Sequence, residues 1–167
     1  MVDKYIALVN GQERQVAGQV TGGAVAQAGK IVALDNTGRL DQSVLPVGLT
    51  PDVYVGTAYE ALAAGAFVYL RSDGKVANAS AVSGGNQATG FVLEAAAANA
   101  QALVYFEGRN TVLTGLTPGA RTYLSDATPG GVTQTPVAGT GKLHQFLGNA
   151  VEATSLAFEG DDSIILA

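Results

Sequence analysis

Apolar and polar positions alternate along this chain in short runs, and turn residues break nearly every run. Near the start, YIALVNGQERQVA sets Ile6 and Leu8 in alternation, breaks at Asn10-Gly11 and closes through polar residues on Val16. That pattern predicts a β-hairpin, because Asn-Gly supplies the positive φ angles of a type I′ turn. Ile31-Val32-Ala33-Leu34 predicts a short strand, and Asp35-Asn36-Thr37-Gly38 a turn after it. Pro46 and Pro51 punctuate an extended stretch that no regular helix could cross. Residues 20–52 therefore read as an arm with little core of its own.

From Tyr59 onward the pattern is written twice. Gly65, Tyr69, Leu70 and Val76 correspond to Gly119, Tyr123, Leu124 and Val132. Val104-Tyr105-Phe106-Glu107-Gly108 corresponds to Leu156-Ala157-Phe158-Glu159-Gly160, and Phe91-Val92-Leu93 is matched with Gln145-Phe146-Leu147. A period near 50 residues marks one supersecondary unit used twice. The run from Glu94 to Ala102 is rich in alanine, a strong helix former. Nine residues fall short of the roughly 12–15 that an autonomous helix needs, and strand patterns flank the run on both sides. It reads as a connection with at most one helical turn.

Asp73-Gly74, Ser83-Gly84-Gly85-Asn86, Thr117-Pro118-Gly119, Thr128-Pro129-Gly130-Gly131 and Gly139-Thr140-Gly141 punctuate the rest. The expected fold is all-β: a small antiparallel barrel or sandwich unit duplicated in tandem, preceded by the hairpin and the arm. The boundaries drawn from the pattern are 1–57 for hairpin and docking arm, 58–108 for the first repeat and 109–167 for the second. Residues 58–167 could equally form one domain.

Composition narrows the function. The 167 residues are 47% hydrophobic, much of that alanine and valine, which bury little area each. A thin core of this kind points toward subunit contacts. The net charge of −5, with nine scattered basic residues, opposes nucleic-acid binding. No apolar run reaches the roughly 20 residues of a membrane span, and no signal peptide is visible.

Candidate chemistry is sparse. His144 is the one histidine and there is no cysteine, so neither a histidine metal cluster nor a thiol site can be built within one chain. No Gly-x-Ser-x-Gly elbow accompanies a serine. Ala138-Gly139-Thr140-Gly141-Lys142-Leu143 looks like the end of a phosphate loop, but its earlier glycine would have to stand at Pro136, and Leu143 replaces the magnesium-holding hydroxyl. Asp161-Asp162 reads as an exposed acidic turn before a last strand at 163–166, since the six to eight oxygens calcium wants are not supplied. No catalytic residue, cofactor or metal site is expected.

GKIVALDNTGRLDQSVLP, residues 29–46, resembles a phrase of fibre and head-decoration proteins of tailed bacteriophages. The residues that carry it are Gly29, Lys30, Ile31, Val32, Ala33, Leu34, Asp35, Gly38, Leu40, Asp41, Ser43, Leu45 and Pro46. GLTPGARTYLSDATPGGVTQTP (115–136) and SLAFEGDDSIILA (155–167) are similar to parts of small β-rich phage virion proteins. The resemblance implies a structural virion protein assembled in the host cytoplasm: a capsid decoration (cement) protein on the outer capsid surface. Its alternative is the base or adaptor of a head or tail fibre. The implied partners are the major capsid protein or another virion protein, and further copies of the chain itself, with a trimer favoured. Ile31, Val32, Leu34, Leu40, Leu45 and Pro46 are the expected interface side chains of the arm. A reading from a different class is a carbohydrate-binding module using Tyr54, Tyr59 or Tyr69.

Overall fold

The computed structural model of the chain describes residues 4–22, 30–34, 36, 38–45 and 52–167. It divides into two compact units, Met1–Thr50 and Pro51–Ala167. The protein is all-β: among the described residues the regular structure is strand, apart from one 3-10 turn at Gln42–Val44.

In the first unit, β1 (Lys4–Val9) and β2 (Gln12–Ala17) pair antiparallel around Asn10 and Gly11, with Val9 opposite Gln12. Both turn residues are left-handed, at φ 52° and 75°, as a type I′ turn requires. A second segment is tied on beyond β2. Gln19 N–H donates to Ile31 C=O at 2.9 Å, and Ala33 N–H donates to Gln19 C=O at 2.9 Å. No described residue of this unit is buried. The arm's expected lack of a core therefore extends to the hairpin.

The second unit holds two five-stranded antiparallel sheets. The first comprises β3 (Val53–Thr57), β4 (Phe67–Leu70), β5 (Val76–Asn78), β6 (Gly90–Val92) and β7 (Gln101–Tyr105), ordered β3-β7-β6-β4-β5. Val53–Thr57, which the sequence pattern leaves in the arm, is thus an edge strand of this sheet, paired with β7 from Val53↔Tyr105 to Thr57↔Gln101. The second sheet comprises β8 (Gly108–Asn110), β9 (Arg121–Leu124), β10 (Val132–Thr133), β12 (Phe146–Glu152) and β13 (Ser155–Phe158). A separate two-stranded sheet joins β11 (Leu143–His144) to β14 (Ile164–Ile165).

The second sheet runs β8-β13-β12-β9-β10, the same order as the first when β11 is set aside. The agreement extends to single bonds. Gly65 N–H donates to Val92 C=O at 2.9 Å, and Val92 N–H to Ala66 C=O at 3.0 Å; Gly119, Ala150 and Ala120 repeat the pattern at 2.8 and 3.0 Å. Gly65 and Gly119 both sit at φ 80°. Leu70 faces Val76 across β4 and β5, as Leu124 faces Val132 across β9 and β10.

One expected match is corrected. Phe91 pairs with Phe67 and Tyr105, whereas Asn149 pairs with the corresponding Arg121 and Ala157. The partner of Gly90-Phe91-Val92 is therefore Gly148-Asn149-Ala150, not Gln145-Phe146-Leu147. The physical anchor is glycine. A Cβ on Gly90 would stand 2.6 Å from Tyr105 C=O, and one on Gly148 would collide with the equivalent carbonyl of Ala157.

The alanine run after β6 contains no helix. Leu62 and Ala96 exchange backbone hydrogen bonds at 2.8 and 3.0 Å, which turns the run into a cover over the sheet. That cover closes one core, where Val68, Val76, Val92, Ala102 and Val104 meet Ala58, Leu62, Ala66 and Ala96. The other face of the same sheet carries Phe67 and Phe91, which pack with Leu124, Leu147, Leu156 and Phe158 of the second half. Ring centroids of Phe67 and Phe91 lie 5.5 and 5.8 Å from that of Phe158. Each buried ring contributes roughly 1.5–3 kcal/mol from area alone.

The two sheets thus stack in one sense. The face of the second sheet bearing Ala150 and Leu156 corresponds to the covered face of the first, and it meets the first sheet's opposite face. Gly130 stitches the halves, accepting from Phe67 N–H at 2.8 Å and donating to Ala79 C=O at 2.7 Å.

Candidate functional site

The expected interface side chains gather on the first unit. Ile31, Val32 and Leu34 are 57%, 46% and 56% exposed, and they line a cavity of about 250 Å³ with Lys4, Tyr5, Gly18 and Ala33. Two anchors fix this segment: the bonds to Gln19, and the Tyr5 hydroxyl, which accepts from Ile31 N–H at 3.3 Å. Backbone ladder bonds of this kind hold a segment without consuming its side chains, so the apolar groups remain outward.

Leu40 is also exposed, while Leu45 is half-buried and Pro46 lies outside the described residues. Between them, Ser43 organises the 3-10 turn. Its hydroxyl donates to Asp41 Oδ1 at 2.5 Å and accepts from Gly22 N–H at 2.8 Å, and its N–H also reaches Asp41 Oδ1. Asp41 and Ser43 thus lock the turn that lies between Leu40 and Leu45.

The pattern reading gave no interface role to two strongly exposed side chains of β1. Ile6 and Leu8 are each 74% exposed, on the β1 face shared with Lys4. Strict alternation signals a strand with two faces, and a lone two-stranded hairpin has no second layer to cover one of them.

In the second unit the tyrosines are engaged. Arg71 lays its guanidinium 3.7 Å from the Tyr59 ring centroid, and its Nε donates to both Asp73 carboxylate oxygens at 3.2 and 3.3 Å. This bond holds the Asp73 carboxyl below its ordinary range and raises Arg71. Tyr54 donates its hydroxyl to Gly74 C=O, and Tyr69 is half-buried against the shared core.

The His144 ring lies tilted at 45° against that of Tyr123, centroids 4.9 Å apart, with Nδ1 3.4 Å from Val137 C=O. In the glycine turn, Lys142 Nζ donates to Asp126 at 2.5 Å, and this bond lowers the Asp126 carboxyl. Asp161 and Asp162 are exposed ahead of β14. Among the described residues, no three histidine, aspartate or glutamate side chains converge as metal ligands would.

A second apolar surface lies on the first sheet. Val55 and Leu103, cross-strand partners on β3 and β7, are 57% and 41% exposed. With Leu93, Glu94, Ala95 and Tyr105 they line a groove of about 370 Å³. Tyr105 stacks on Phe91 at 5.6 Å, so the groove continues the face that carries the shared core.

No protein-family model matches this chain, and neither a curated protein nor a solved structure matches it.

Proposed function

We propose that the protein is a structural component of a phage particle, a decoration protein that binds the capsid exterior through its first unit. One observation carries the reading: a unit with no buried residue among those described presents Ile6, Leu8, Ile31 and Leu34, each more than half exposed. Such a unit gains its apolar burial from another molecule, at about 25 cal/mol per Å² covered. The resemblance of residues 29–46 to virion phrases supplies the kind of molecule. The strand-built second unit, with two repeated sheets, is shape and surface in this reading. We take the sheets to be tandem copies of one unit, on their common order and bonds.

The test is cosedimentation of the purified chain with assembled capsids of the same phage, followed by imaging of the decorated particles. Binding that saturates at many copies over the head, and that weakens tenfold or more with Ile31→Ser and Leu34→Ser together, supports decoration. A few copies at one vertex or at the tail would move the protein to the fibre-adaptor role. No binding to any virion part would remove the proposal.

A further inference from the structure

We propose that β1 of one copy adds as an edge strand to β3 of a second copy, seating Ile6 and Leu8 on the groove of Val55, Leu93, Leu103 and Tyr105. This rests on the reading of the first unit as a docking element and names one of its occupants, a second copy of the chain.

Three observations converge on it. The first is backbone valence. Val9 and Gln12 flank a two-residue turn and so exchange hydrogen bonds, which alternation extends to Ala7 and Tyr5. The N–H and C=O groups of Ile6 and Leu8 therefore point to the outer edge of β1, which no described strand occupies. On β3 the flanking bonds, Phe106 N–H to Asp52 C=O and Ala58 N–H to Ala100 C=O, turn the even-numbered residues toward β7. Those of Val53 and Val55 are thereby left facing the side of β3 away from β7, where β5 joins only past the strand's end, through Tyr59 N–H to Val76 C=O at 2.7 Å. Open edges of this kind are templates for pairing.

The second observation is side-chain facing. Lys4, Ile6 and Leu8 share the exposed face of β1, and Val53 and Val55 share the groove face of β3. Edge addition makes these two rows one apolar surface, continuous with the packed face of Phe91 and Phe67. Glu94 at the groove rim is the acidic group there for Lys4 to approach.

Charge is the third. Residues 1–50 carry four basic groups (Lys4, Arg14, Lys30, Arg39) and four acidic ones (Asp3, Glu13, Asp35, Asp41). Residues 51–167 carry five basic and ten acidic, hence the whole net charge of −5. Contact between two second units is repelled, whereas contact of a neutral first unit with an acidic second unit is not. The pairing is head-to-tail, and a head-to-tail contact closes into a ring or runs on as a fibre.

The native chain has no cysteine, so single thiols report the contact cleanly. Chains with Ile6→Cys and Val55→Cys are mixed under a mild oxidant and resolved without reductant, beside each variant alone and beside a Gln15→Cys and Val55→Cys mixture. Far-ultraviolet circular dichroism first confirms that each variant keeps the β spectrum. A mixed dimer at least fivefold above all three controls supports the pairing, as does native protein that sediments as an oligomer and becomes monomeric with Val55→Asp. Cross-linking no greater than the controls, or a native chain that sediments as a monomer at every concentration tested, overturns it. A monomer that still coats capsids would overturn this pairing alone and leave the proposed function standing.

Discussion

Gln145 reads the backbone of Ala88. Its Oε1 accepts from Ala88 N–H at 2.7 Å, and its Nε2 donates to Ala88 C=O at 2.9 Å and to Asp161 C=O at 3.0 Å. The amide is 1% exposed and acts as one residue of a strand, joining the β5–β6 connection of the first sheet to the start of β12. Replacing it by leucine leaves the buried N–H and C=O of Ala88 without these partners and removes the bond to Asp161 C=O. Gln145→Leu is expected to cost about 2–4 kcal/mol, read as a drop in the urea midpoint at unchanged slope. A loss under 0.5 kcal/mol would show that the amide is incidental to the join.

Thr122 makes the opposite case. Its hydroxyl is buried without a hydrogen-bond partner, and the corresponding residue of the first sheet is Val68, fully buried in an apolar core. Thr122→Val keeps the shape and removes the unpaired group. Chemical denaturation should find a gain of about 1 kcal/mol. A loss would mean that the hydroxyl has a partner after all.

Glycine separates two kinds of position. At Gly90 an added methyl meets the Tyr105 carbonyl and Val104 Cγ1, both on the neighbouring strand. Gly74, unlike Gly90, has a positive φ of 78° and stands in open space. Gly90→Ala should therefore destabilise by more than about 2 kcal/mol, and Gly74→Ala by about 1 kcal/mol from the backbone alone. Thermal melts of the two variants side by side test the order.

Acid should weaken the Asp126–Lys142 contact in a defined range. The folded carboxyl ionises below its ordinary value of 3.8, because Lys142 donates to it. A lowered carboxylate pKa gives stability that is fully present above the unfolded value and lost as pH falls through the folded one. The native chain should thus outlast Asp126→Asn at pH 6, and the margin should shrink below pH 3.8. A margin that stays constant to pH 2 (roughly two units below the ordinary value) would exclude this contact as its source.

The strand-turn phrase was legible because its parts are local. Tyr69-Leu70 and Tyr123-Leu124 sit in matching strands, and Asn10-Gly11 makes the turn its dipeptide demands. The β6 match was misread because an apolar triplet outweighed a glycine in the pattern. Phe91 belongs to a buried face, but the same place in the second sheet is the exposed Asn149, so hydrophobicity there differs while the close approach at Gly90 and Gly148 persists. Val53–Thr57 hid for another reason. Its pairing partner β7 begins more than forty residues later, and no local signal records a long-range edge. In the candidate site, Ile31, Val32 and Leu34 come from the virion-like phrase, and the structure leaves all three exposed. Ile6 and Leu8 were seen as strand residues, but which face stays uncovered depends on the number of layers, which alternation does not encode.

The one-way stacking of the sheets leaves the second unit with unlike faces. Where the first sheet buries Phe67 and Phe91 and half-buries Val53, the second sets Arg121, Asn149 and Arg109, all exposed. A third layer would have to strip two guanidinium groups of their hydration, so accretion halts at the pair, as it does at the hydrophilic terminal modules of repeat proteins. Swapping those three for their first-sheet counterparts would leave an apolar face where water now meets charge, open to a further sheet.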